Sequence, residues 1–368
     1  MPSTFDVAVV GAGPAGAATA LRLAQAGCSV VLLERSKFDT LRIGESIVPG
    51  VQPLLASLGL WSQFLKLDPL PSYGTRSAWG SSVTEEHSHL MTAYMNGWHI
   101  DRLAFDRMLV SAAVRAGTKL YLGSRIASCR SAGQDGFVLH ITNSKGMDEL
   151  CTKFLVDASG RHSCMRGWLG AKRIGFDRLV GVAVQFYDEN ACSNCYTLVE
   201  TTPDGWWYSA PVSHQHSVAM MMTDGDLARS KNMDMLTNWQ KELQLVRLTK
   251  NRINGSKVRW GPRIFSAISQ RLMKDPTDSK PWLAVGDSAL SVDPASGSGV
   301  VRALRMASEA ATTILAFFNG DIDLMAQYEA KRNVECTNYL IERIGYYGME
   351  KRWPEATFWK RRSMALGK

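Results

Sequence analysis

The chain has 368 residues, which at roughly 150 residues per domain gives room for two domains or one large elaborated one. Hydrophobic residues make up 45% and charged residues 21%, near the globular averages of about 45–50% and about 25%, so disorder and fibrous repeats are excluded. A formal net charge of +8, spread along the chain rather than packed into one run, fits an acidic partner without implying nucleic acid.

The first apolar run, Phe5 to Val10, begins almost at the initiator and enters a glycine cluster, so the N-terminus reads as structure rather than as an address. No stretch approaches the ~18 consecutive apolar residues of a spanning helix. Seven scattered cysteines without a secretory signal point to free thiols and a cytoplasmic setting. Cys192 and Cys195 form a lone CxxC, which without a second pair is read as structural, and no metal site is expected.

Asp6 to Val10 is a short β-rich run, Pro14 to Ala26 has helical apolar spacing, and Ser29 to Glu34 is a second β run. Between the first two lies Gly11-Ala-Gly13-Pro14-Ala15-Gly16. Its first glycine permits the tight bend, the second lets backbone approach a pyrophosphate, and the third lets helix and strand pack closely. The phosphates would sit at the helix N-terminus, where unpaired N–H groups and the positive dipole end favour anions. Glu34 stands about 20 residues on, where a carboxylate accepts from ribose hydroxyls, with Arg35 beside it.

Further along, a helix is predicted over Val51 to Leu58, strands around Tyr73 to Gly80 and Leu90 to Ile100, and a helix capped by Asp101 that Gly117 stops. A meander follows through Phe137 to Ile141 and Leu150 to Val156, ending in Asp157-Ala-Ser-Gly160 with Arg166 beyond. Residues 179 to 223 alternate apolar and polar with a turn at Pro203-Asp-Gly205, the pattern of antiparallel strands. Met233 to Leu248 is predicted as helix, Val258 to Ile268 and Trp282 to Val285 as strands, and the chain after Gly299 as mostly helical, closing in the basic stretch Lys351 to Lys368.

Three spaced motifs, Gly11 to Gly16 with Glu34, the segment Asp157 to Arg166, and Gly286-Asp287 followed by Asp293-Pro294 and Gly297 to Gly299, resemble the FAD-dependent aromatic monooxygenase and halogenase superfamily. The resemblance implies an α/β fold of the p-hydroxybenzoate hydroxylase type: a Rossmann-like FAD-binding domain (1–70, 101–175 and 275–315), an antiparallel β-sheet substrate domain (71–100 and 176–274) and a helical C-terminal segment (316–368). It also implies that Asp157 and Gly286 belong to the cofactor site, that Asp287 bonds the ribityl chain and that Pro294, Gly297, Ser298 and Gly299 lie against the isoalloxazine. Arg102 matches a position that the superfamily uses near the flavin, and Arg42 and Ser46 lie in the loop that covers it. A glycine-rich turn opening a helix at Val300 aims N–H groups at the flavin edge that becomes negative on reduction.

Arg42-Ile-Gly-Glu45-Ser46-Ile-Val-Pro49 and Gly205-Trp206-Trp207-Tyr208-Ser-Ala-Pro211 resemble the tryptophan halogenase branch, but Gly74 stands where the halogenase lysine is expected. Hydroxylation needs no such amine, because the flavin carries the oxygen and the protein supplies position and a dry cavity. Gly44-Glu45-Ser46, Gly74 to Gly80 and Gly205 to Tyr208 resemble more nearly the GoxB- and LodB-like flavoproteins, which modify a tryptophan in the precursor of a quinone-cofactor oxidase.

That resemblance implies FAD and O2, electrons from NAD(P)H or from a separate flavin reductase, and a protein substrate whose tryptophan is hydroxylated towards tryptophylquinone. A halogenase, a small-molecule hydroxylase, an isoprenoid reductase and a flavin-binding maturation chaperone are the competing readings. Trp79, Trp98, Trp206 and Trp207 are expected to wall the substrate pocket, with Glu45 as acid or base and Pro294 at the flavin. His99, His162, His214 and His216 are further acid–base candidates, and the basic tail with Trp353 and Trp359 is expected to anchor a partner.

Overall fold

The computed structural model describes residues 3–363 except Lys145, Asn190 and Pro276. Parallel strands Ser3–Val10, Val30–Glu34, Lys119–Leu122 and Gly146–Asp157 share a sheet, with Trp282–Ala284 added in parallel on the last. The apolar runs Val7–Val10, Val30–Leu33 and Phe154–Val156 of the inner strands are buried on both faces, as crossover helices require, whereas the edge strand Lys119–Leu122 leaves Leu122 exposed. The registers Val10↔Asp157, Val10↔Leu33 and Asp157↔Ala284 bring the carboxyl ends of four strands to one edge. Each sequence motif begins at that edge, where ligands bind in open α/β sheets. Phe137–Asn143 and Arg125–Ser131 extend the same sheet antiparallel.

The alternating region forms a second seven-stranded sheet, in the order Lys257–Ser266, Leu179–Tyr187, His216–Asp224, Gly205–Ser213, Tyr196–Thr202, Gly74–Ala78 and Glu85–Ser88. Period-two patterning gives it two apolar faces. Val218, Met220 and Met222 join Trp79 and Trp206 on one, while Ala219 and Met221 join Trp207 and Trp239 on the other. A small sheet of Ser46–Ile47, Gly97–His99 and Leu70–Ser72 links the loop after Arg42 to this region.

The predicted helix at Met233 to Leu248 is instead two, Leu236–Leu243 and Leu248–Arg252. The break has an identifiable cause: the buried Glu200 carboxylate accepts from the N–H groups of Arg247, Leu248 and Thr249 at 2.7–3.0 Å and so starts a new helix. Leu90 to Ile100 holds a short 3-10 turn, His89–Met91, before the strand Gly97–His99, because the Ser88 hydroxyl accepts from Leu90 N–H.

The C-terminal segment corrects the expectation of a docking arm. After the helices Gly299–Phe318 and Asp323–Gly348, the chain returns as Thr357–Ser363 over the first face of the antiparallel sheet. Phe358 and Trp359 are buried, Trp359 Nε1 donates to the Thr202 carbonyl at 2.8 Å, and Arg362 pairs with the buried Asp224 at 2.8 Å. Trp353 is half-buried under Arg352 and beside Trp359. These aromatics complete a core rather than await a partner; Lys368 lies outside the described residues. Trp359→Ala is expected to cost about 3–5 kcal/mol, read as a lower urea midpoint at unchanged slope. A cost below about 1 kcal/mol would return the tail to the surface.

Candidate functional site

The first motif is held by backbone contact. A Cβ at Gly11 (φ +108°) would meet the Ala158 carbonyl oxygen at 2.3 Å, and one at Gly16 would meet the Gly11 carbonyl oxygen at 1.9 Å. Gly13 differs: its φ of −74° is ordinary and a Cβ would meet nothing within 4 Å. Gly13 also precedes the helix Pro14–Gln25, whose first N–H groups receive no side-chain cap. The protein therefore requires glycine at 11 and 16, and the space over Gly13 fits a pyrophosphate.

Glu34 is buried and accepts from Ala12 N–H at 2.9 Å and Ser36 N–H at 2.8 Å. A carboxylate with about four lone-pair sites keeps capacity for ribose hydroxyls. Arg35 is exposed at the strand end, and Ala15 is buried. Gly286 (φ +60°) abuts that turn, since a Cβ there would meet Ala15 Cβ at 2.7 Å. The Asp287 carboxylate faces Arg161 at 3.3 Å and Arg302 at 3.9 Å, and remains part-exposed.

Asp157 is placed differently from the expectation of a cofactor ligand. Fully buried, it accepts through Oδ1 from Ser159 N–H, Ser159 Oγ and Ser288 Oγ at 2.6–3.0 Å. It is a strut joining the second motif to the third, and burial raises its pKa.

At the other end, Asp293 is buried and caps the 3-10 turn Pro294–Ser296, accepting from Ala295 N–H at 2.9 Å, while its second oxygen accepts from Tyr347 at 2.7 Å. Pro294, Gly297 and Gly299 are exposed although the flanking chain is buried, and Ser298 leaves the N-terminus of the 20-residue helix Gly299–Phe318 without a side-chain cap. This open turn suits an edge that becomes anionic.

The loop facing it is pinned from below by one carboxylate. Asp106, wholly buried, receives Arg42 at 2.7 Å and Arg102 at 3.3 Å, and Arg102 also donates to the Ile43 carbonyl at 2.8 Å. Both arginines are thus committed to loop placement. Val48 lies beside Gly297, which sets the loop against the open turn.

Within this loop Glu45 is buried; Oε2 accepts from Gly44 N–H at 3.0 Å and Oε1 has no hydrogen-bond partner. Ser46 Oγ lies 2.8 Å from the Tyr208 hydroxyl, 3.0 Å from His99 Nδ1 and 3.1 Å from Thr197 Oγ1. Burial holds the His99 pKa down to about 3, so the ring is neutral. His99 Nε2 meets the Cys195 carbonyl at 3.2 Å, and because a carbonyl only accepts, Nε2 carries the proton and Nδ1 accepts from Ser46. Ser46 then accepts from Tyr208 and Thr197. The Tyr208 phenol is pushed well above its usual range by burial and by the Glu45 carboxylate it faces.

The four tryptophans do not form one wall, which corrects the expectation. Trp79 and Trp206 donate to the Tyr346 carbonyl and the Tyr347 hydroxyl at 3.0 and 3.1 Å in the core under the C-terminal segment. Trp207 is fully buried on the opposite face, 5.0 Å from Trp239. Trp98 packs with Trp61 and Phe64 in a third cluster. Of the histidine candidates, only His99 belongs to the loop network; His214 faces Asp68 and Cys192, His216 faces Ser213, and His162 lies in the 3-10 turn Gly160–His162. Among the described residues no group of three His, Cys, Asp or Glu could hold a metal, and no helix is long and apolar enough to cross a membrane.

Residues 4–339 match the FAD binding domain family. The chain belongs to this family of FAD-dependent oxidoreductases. It is 31% identical over 363 residues to LodB of Marinomonas mediterranea, named as an FAD-dependent oxidoreductase, covering 98% of this chain and 97% of that one. Among solved structures, the myxobacterial chondrochloren halogenase CndH superposes with a TM-score of 0.88 at 23% identity, covering 98% and 86% of the two chains. The peptidyl tryptophan dihydroxylase QhpG superposes with a TM-score of 0.71 at 22% identity, covering 98% and 79%. The family's fold accounts for the three motifs meeting at one sheet edge.

Gly13→Ala should leave the thermal midpoint of the FAD-free protein unchanged while weakening FAD at least about tenfold, ~1.4 kcal/mol. Gly16→Ala should instead lower that midpoint before FAD is added. Equal loss in both variants would contradict the division of labour. For His99, protonation occurs near 6.5 when exposed but only near 3 in the fold. The unfolded chain binds more protons between these values. Stability should fall as pH drops from about 6.5 towards 3, with a shallower fall in His99→Gln; an identical urea-midpoint profile would mean that His99 does not remain neutral.

Proposed function

We propose that the protein is an FAD-dependent monooxygenase that inserts oxygen into a tryptophan side chain of a partner polypeptide, within tryptophylquinone formation. The observation that carries the reading against halogenation is at Gly74. A Cβ there would meet the His87 carbonyl oxygen at 2.2 Å, so the position expected for the halogenase amine has no room for any side chain. Full-length likeness to LodB and the fold shared with a peptidyl tryptophan dihydroxylase support a polypeptide substrate.

FAD, when bound and reduced by NAD(P)H or a separate reductase, would supply two-electron activation of O2, so that one oxygen replaces an indole C–H with C–OH and the other leaves as water. The uncapped N-termini at Gly13 and Ser298 would hold its phosphates and ring edge, with Glu34 and Asp287 available to its hydroxyls. The loop 42–50, fixed through Asp106, excludes water. Glu45 Oε1, without a partner in the buried loop, accepts the proton that the ring releases, and the hydrogen bond from Tyr208 to the adjacent Ser46 fixes the loop there.

The test is mass analysis of tryptophan peptides from a co-purified oxidase precursor after turnover with bromide present. Oxygen gain is expected. Bromine gain would assign halogenation, and bound precursor without oxygen consumption by the reduced protein would assign a chaperone. Glu45→Gln should slow oxygen gain about 10²–10⁴-fold, whereas Tyr208→Phe should shift its pH profile with FAD content unchanged; normal turnover in Glu45→Gln would remove Glu45 from proton transfer.

A further inference from the structure

On the opposite side of the antiparallel sheet from the loop 42–50 is a cavity of about 550 Å³, lined chiefly by Arg76, Asp188, Asn194, Asn251, Arg252 and Asn254. That volume falls within the roughly 300–1,000 Å³ of ligand pockets. The cationic residue at its wall is incompletely satisfied. Arg252, part-buried, donates to the main-chain carbonyls of Asn194 at 3.1 Å and Tyr196 at 2.5 Å, and its Nε is closed off without a partner. A guanidinium has five donors, so three remain uncommitted, and among the described residues no carboxylate lies within 4.0 Å. Burial lowers its pKa to about 10 although the Asp188 carboxylate across the cavity acts against that fall, so the cation is only partly compensated.

The rest of the lining narrows the ligand. Asp188 shares the cavity and accepts from the Ser217 hydroxyl at 2.7 Å, so an anion must approach from the arginine side. Arg76 lies there, 4.1 Å over the Tyr196 ring and paired with Glu86 at 2.9 Å. Three asparagine amides offer both donors and acceptors, the complement of peptide groups. A carboxylate satisfies the arginine's free donors, a peptide backbone satisfies the amides, and the net charge of +8 favours an acidic segment.

We infer that this cavity is a second contact site for the polypeptide substrate, binding a segment that carries an Asp or Glu side chain against Arg252. It rests on the polypeptide-substrate reading above. Its role is to hold the partner from the far side of the sheet while the tryptophan is presented at the flavin loop.

The probes are acetylated, amidated Gly-Glu-Gly and Gly-Gln-Gly tripeptides, titrated calorimetrically into the FAD-loaded protein, with inorganic phosphate as a third arm. The glutamate peptide should bind about tenfold tighter than the glutamine one. Arg252→Gln should bring that ratio to about one, and Arg252→Lys, which keeps the charge without the fork, should retain part of it. If Arg252→Gln does not fold, Asn254→Asp at the exposed rim should weaken the glutamate peptide alone, with FAD content unchanged. Equal binding of the two peptides, an unchanged ratio in both Arg252→Gln and Asn254→Asp, or phosphate displacing the peptide at equal concentration would overturn the site. Peptide binding without oxygen gain on a partner tryptophan would leave this site standing and remove the monooxygenase reading instead; oxygen gain without peptide discrimination would do the reverse.

Discussion

The structure depends on how closely three backbone segments approach at the sheet edge. Strand Ser3–Val10 ends opposite Asp157, and the turn after it passes so near Ala158 that no side chain fits at Gly11 or Gly16. Close packing of this kind is all-or-none: either the helix Pro14–Gln25 seats on the strands, or the second and third motifs lose their neighbour. Gly286 against Ala15 and Asp157 against Ser288 extend the same constraint, so segments more than a hundred residues apart converge on one spot.

The loop over that spot is governed by a different economy of charge. One buried carboxylate, Asp106, takes two guanidiniums, and the second of these reaches on to the Ile43 carbonyl. A buried carboxylate left with one partner fewer would be strongly disfavoured, which gives the loop a defined seat without a large apolar contact. Beyond it, the neutral His99 and the carbonyl it faces impose one direction on the hydrogen bonds through Ser46 to Tyr208. The site therefore joins a rigid glycine turn to a polar network whose proton positions are dictated by what each group can donate.

Much of this was legible in the sequence because the features of the glycine turn and the helix ends are local. Glycine at 11, 13 and 16, the acid at 34 and the cap at Asp101 each act within a few residues of a strand or helix end, and spacing alone reports them. The tryptophans were not legible, because neighbours in a strand point to opposite faces and sequence does not say which face meets the cofactor: Trp206 and Trp207 enter different cores. Asp106, Tyr208 and Arg252 were also out of reach. Their roles come from partners 64, 162 and 58 positions away, contacts that only the assembled sheets create. Tyr208 left one trace, its place beside the aromatic pair in Gly205 to Pro211.

The return of Thr357–Ser363 over the antiparallel sheet has a consequence for biogenesis. Strands that need Phe358, Trp359 and Arg362 to cover one face are made more than a hundred residues before those side chains exist. During synthesis that face is a naked aromatic surface, while all three glycine-bearing motifs at the parallel-sheet edge have already emerged by the helix Gly299–Phe318. Maturation is thereby ordered in time: the parallel-sheet half can close first, and the antiparallel sheet is sealed only after residues 357–363 have left the ribosome.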